Sequence, residues 1–82
     1  MQALHITFME LDPYKAYHQI ETVCNSMPGC KLFSFTWEVP DDMGFAIVLV
    51  KDVSVACAVM AHFKDADAYY IKPTKYMQHQ LK

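Results

Sequence analysis

Gly44-Phe45-Ala46-Ile47-Val48-Leu49-Val50 decides the fold. From Phe45 to Val50 every side chain is apolar, so both faces of the segment must be covered, which marks a central strand of a sheet. Immediately before it, Pro40-Asp41-Asp42-Met43-Gly44 is turn chemistry. Before that turn, Leu32 to Val39 alternates. Phe33, Phe35, Trp37 and Val39 fall on one face, and Leu32, Ser34, Thr36 and Glu38 on the other. The two runs predict a hairpin.

Working outward, each flank of the hairpin carries a helix and then a strand. Leu4 to Leu11 alternates, with Leu4, Ile6 and Phe8 on one face and His5, Thr7 and Met9 on the other. Asp12-Pro13 then opens a helix, Asp as the cap and Pro at the first helical position, where a missing N–H costs nothing. Ala16, Ile20, Val23, Cys24 and Met27 recur at helical spacing, while Lys15, Gln19 and Glu21 point mostly outward. Pro28-Gly29 ends that helix. On the other flank, Asp52 or Ser54 caps a second helix running through Phe63, with Val55, Val59, Met60 and Phe63 as its buried stripe. Lys64-Asp65-Ala66-Asp67 closes it. Tyr69-Tyr70-Ile71-Lys72 reads as a last strand, stopped by Pro73, and Thr74 to Lys82 is a short helix or an extended arm.

The order β-α-β-β-α-β predicts an α+β, ferredoxin-like sandwich occupying residues 1–82 as one domain. Right-handed crossovers put both helices on one face of a four-stranded antiparallel sheet. The other face is then bare and carries His5, Thr7, Met9, Leu32, Ser34, Thr36, Phe45, Ile47 and Leu49. So apolar a surface calls for a cover.

Bulk properties narrow what the cover can be. At 82 residues the chain buries a modest share of its surface, and small folds of this kind gain stability from disulfides, a metal or a partner subunit. Cys24, Cys30 and Cys57 are odd in number and contain no CxxC pair, which argues against a disulfide framework and for a reducing, cytoplasmic setting. His5, His18, His62 and His79 show no HxH, HxxxH or HExxH spacing, and Asp65 and Asp67 do not form a calcium-loop pattern, so no metal is expected. Cys57, among Val55, Ala56, Ala58 and Val59, reads as a buried, inert thiol. No apolar run reaches about 18 residues, so no membrane span or signal peptide is expected.

Three covers compete: a second copy, another protein and a nucleic acid. An RNA-binding sheet carries basic–Gly–aromatic–small–aromatic–Val–x–aromatic on its third strand, and Met43 to Val50 matches at Gly44, Phe45, Ala46 and Val48. It fails at the stacking and basic positions, with Ile47, Val50 and Met43 there, and the net charge is −2. No nucleic-acid partner is expected. With a homodimer, two sheets meet face to face and close a barrel with a cleft in each half.

Leu32-Phe33-Ser34-Phe35-Thr36-Trp37-Glu38, Gly44 to Val50 and Asp67…Tyr70-Ile71-Lys72-Pro73 resemble the dimeric α/β barrel superfamily. Within it they look most like a family of small bacterial proteins of unknown function, which share a Trp closing the second strand, a Gly-Phe opening the third and a Pro after the fourth. The resemblance spans Leu4 to Met77 and implies a homodimer with an internal cleft; it supplies no reaction. The superfamily's haem-degrading enzymes use an Asn on the first strand, a Trp near the second helix and a His on that helix. Here the first strand offers His5 and Thr7, the only Trp is on the second strand, and only His62 matches in place. Haem chemistry does not follow, and no cofactor is expected.

His5 would point into such a cleft, where an imidazole can move a proton or bind an acidic ligand. The cleft residues expected are His5, Thr7, Trp37, Phe45, His62 and Tyr70. Blander roles compete: His5 as a hydrogen-bonded strand-end histidine, His62 as a favourable charge at a helix C-terminus, and Trp37 as core with Phe33 and Phe35. Of Tyr69 and Tyr70, one must face in and one out. With only Gly29 and Gly44, a phosphate-cradling loop is excluded, and no catalytic triad can be placed. The expected function is a small-molecule-binding or regulatory module; the alternative is a cofactor-free, monooxygenase- or isomerase-like enzyme acting on a small apolar or aromatic compound.

Overall fold

The computed structural model describes residues 1–9, 12–38 and 43–80. In chain order the elements are β1 (Gln2–Phe8), α1 (Pro13–Ser26), β2 (Cys30–Glu38), β3 (Met43–Val50), α2 (Val53–His62), β4 (Asp67–Ile71) and α3 (Lys75–Gln80). The strands form one open antiparallel sheet in the order β2-β3-β1-β4. This α+β arrangement of four strands and three helices fits a ferredoxin-like fold. No helix among the described residues is long and apolar enough to cross a membrane.

The caps act as their residue types dictate. Asp12 accepts hydrogen bonds from the Tyr14 and Lys15 N–H groups at 3.0 and 3.3 Å. Asp52, not Ser54, caps α2: its carboxylate accepts the Val55 N–H at 3.1 Å and the Ser54 hydroxyl at 2.9 Å. After α1 the chain reverses at Gly29, whose φ of +75° suits a residue without Cβ. The Lys51 N–H then donates to the Gly29 carbonyl at 2.7 Å, tying that turn to the end of β3.

Register divides the side chains between two layers. Leu4, Ile6 and Phe8 of β1 and Ala46, Val48 and Val50 of β3 meet Ala16, Ile20 and Cys24 of α1 and Ala56 and Val59 of α2 in the main core. Both long helices therefore lie on one face, as right-handed crossovers require. Trp37 packs in this layer, directly across from Gly44, where a Cβ would come within 2.5 Å of its ring. Trp37, next to last in β2, and Gly44, second in β3, are thus one packed cross-strand pair.

Several expectations are corrected. β1 runs Gln2–Phe8 rather than from Leu4 to Leu11, and Met9 lies beyond it; Glu10 and Leu11, like Val39 of the expected second strand and Pro40 to Asp42 of the expected turn, lie outside the described residues. Met43 and Gly44 belong to β3, not to the turn. A bulge between Leu32 and Ser34 inverts the expected alternation at the start of β2. Leu32 joins the helix-side core and Phe33 the opposite layer, because one extra residue shifts everything on its N-terminal side by one position. Cys57 is exposed, since the buried side of α2 is centred on Ala56 and Val59.

The tail forms α3, which lies against the second face of the sheet. Met77 inserts between Ala3 and Leu49, flanked by Phe33, Ile47 and Ile71. The Thr74 hydroxyl oxygen accepts the Met77 N–H at 3.2 Å, Tyr76 packs edge-on against Phe33 at 5.9 Å, and the Lys31 Nζ donates to the Gln80 carbonyl at 3.2 Å. The face expected to be bare is closed at one end by the chain itself.

Candidate functional site on the open half of the sheet

The other end of that face holds the candidate site. The β1 register places His5 between Ile47 of β3 and Tyr69 of β4, and Thr7 between Phe45 and Asp67. The His5 ring stacks on Tyr69 at 4.9 Å between centroids, with 22° between planes. On its other flank it is tilted 48° to Phe45 at 5.5 Å. A row of three rings therefore crosses β4, β1 and β3. Ser34 and Thr36 of β2, opposite Ile47 and Phe45, extend the face with hydroxyls.

His5 is unusual chemically. Its Nδ1 is buried without a hydrogen-bond partner among the described residues. A buried polar atom left unpaired costs about 1–3 kcal/mol, and such sites call for an explanation. The stacked Tyr69, by contrast, is 54% exposed. The row is half-closed: its middle is shielded and its rim is open.

Three of the six expected cleft residues, His5, Thr7 and Phe45, come together here. The others do not join them. Trp37 packs on Gly44 in the helix-side layer and stacks on Phe35 at 6.3 Å. Tyr70 pairs with Leu4, whose side chain is in that same layer, so Tyr69 takes the place expected of Tyr70. His62 ends α2 and lines a shallow groove with His18, Gln19 and Phe63, on the helix side of the sheet. Two adjacent tyrosines carry no signal of which faces His5; only the β1–β4 register decides it.

No group of three or more His, Cys, Asp or Glu side chains converges as a metal site would require, among the described residues. Comparison with protein-family models, with curated proteins and with solved structures finds no match for this chain.

Proposed function

We propose that the chain is a ferredoxin-like β-α-β-β-α-β module that pairs with a second copy through the open half of its sheet, as in a dimeric α/β barrel. Between the paired sheets it binds a small apolar or aromatic ligand. The observation that carries this reading is the ring row Tyr69–His5–Phe45, with an Nδ1 that has no partner among the described residues, beside an end of the same face that α3 has closed. A flat ligand could continue the stack, and one polar group on it would answer the orphaned nitrogen. The exposed ring of Tyr69 suits a second copy better than it suits water.

The test has two readings. Light scattering on the purified chain should give twice the chain mass; a monomer at high concentration would overturn the dimer. A panel of small aromatic compounds should raise the unfolding midpoint in a dose-dependent way. His5→Ala should lose that response while keeping its circular dichroism; an unchanged response would remove His5 from the site. The alternative, a cofactor-free enzyme, rests on the same orphaned Nδ1 as a group able to exchange a proton. Conversion of the stabilising compound, abolished in His5→Ala, would favour it over a binding module.

A further inference from the structure

The sequence separates Cys24 from Cys30 by a helix end and a turn, and the fold places both in the layer between α1 and the sheet. Cys24 follows Ala16 and Ile20 on the buried stripe of α1, in its C-terminal part, and is only 4% exposed. Cys30 is the first residue of β2 and pairs with Val50, whose side chain lies in the helix-side core. Its own side chain therefore enters the layer between α1 and the sheet, and it packs against the cluster that contains Cys24. The turn that joins them is fixed by Gly29 and by the Lys51 N–H. Both thiols are free, and Cys30 retains some exposure while Cys24 does not.

We propose that Cys24 and Cys30 form a dithiol site that low-molecular-weight disulfides oxidise to an intramolecular disulfide. The two thiols are inequivalent in a way that assigns their order. The neighbouring Cys24 thiol lowers the Cys30 pKa, against the opposing effect of burial. The neighbouring Cys30, and then burial, push Cys24 up. Cys30 is thus the more exposed sulfur and the one whose pKa is lowered, and such a sulfur attacks first.

In the first step the Cys30 thiolate attacks one sulfur of the small disulfide, forming a mixed disulfide and releasing one small thiolate. In the second, Cys24 gives its proton to that thiolate and attacks the Cys30 sulfur. The mixed S–S bond breaks, and the second small thiolate leaves and takes a proton from water. Two protein thiols are oxidised and one small disulfide is reduced to two thiols. Cys57, exposed on α2, lies outside that cluster among the described residues and is expected to stop at an adduct.

The experiment uses the full chain carrying Cys57→Ser, equilibrated in glutathione buffers of rising oxidised fraction, then alkylated and weighed intact. The expected product is two hydrogens lighter, takes up no alkylating agent and forms without denaturant. Adding Cys24→Ser should halt the reaction at a single glutathione adduct on Cys30. Adding Cys30→Ser, with its circular dichroism unchanged, should leave Cys24 unmodified. Persistence of two alkylatable thiols at every ratio, accumulation of adducts with Cys24 present, or oxidation only in denaturant would each overturn the proposal.

Discussion

Two rows of rings cross this sheet on opposite faces, and they differ in what holds them. On the helix side, Phe63 meets Phe8 edge-on at 5.3 Å, Phe8 meets Phe35 at 6.3 Å, and Phe35 stacks on Trp37. Tyr17 of α1 closes over Phe35 at 5.4 Å. Helices, aliphatic side chains and a glycine back every member of that row. On the other face, Tyr69, His5 and Phe45 have chiefly one another, and α3 stops short of covering them. Aromatic area is equally apolar in both places, so its presence alone does not distinguish core from site. The neighbours do: a ring backed by packed carbon stabilises the fold, and a ring backed only by rings leaves surface for a partner.

Mutations should split the two rows by energy. Phe8→Ala, at a side chain 4% exposed within the helix-side row, should cost about 3–4 kcal/mol, read as a lower denaturant midpoint at unchanged slope. Gly44→Ala should cost about 1–3 kcal/mol, because a methyl there meets the Trp37 ring at 2.5 Å and the ring must move. A parallel loss of tryptophan fluorescence anisotropy would locate the damage. His5→Leu, in the opposite row, should change stability by less than about 1 kcal/mol, since it removes an unpaired polar atom along with a stacked ring. A loss as large as that of Phe8→Ala would erase the distinction between the rows.

Acid should sharpen the same contrast between the faces through their helix caps. The Val55 N–H, then the Ser54 hydroxyl, hold the Asp52 carboxyl below the usual carboxylate range. A depressed folded-state value contributes stability that is present above the unfolded-state pKa. That contribution fades as pH falls below about 4 towards the lower folded-state value. The first turn of α2 should therefore loosen in acid, while α3, capped by the neutral Thr74, should not respond through its cap. Amide exchange at Val55 and Met77 across that window reads the difference, and Asp52→Asn should flatten it.

How far the sequence foretold these features depended on how local their causes are. α1 was legible because its cap, its stripe and its stop all lie within one segment, and β3 because six apolar residues in a row admit little else. The bulge was not, since an alternating run does not say where an extra residue enters; the adjacent Leu32 and Phe33 were the only hint. α3 was missed as a cover because six residues with Met77 as their one buried side chain show no period. At the site, His5, Thr7 and Phe45 followed from alternation alone. Tyr69 and the meeting of Cys24 with Cys30 depended on register and on the path of a turn, which are properties of pairs of segments.

The strand order has a consequence for how copies of this chain can associate. β2 and β4 are the outer strands, and each is a poor template for adding another strand. β2 is interrupted by its bulge, and β4 is five residues long with Pro73 close behind. Growth sideways into a continuous ribbon is thereby discouraged at both margins. The face-to-face pairing proposed above would instead be a lamination that ends after two layers.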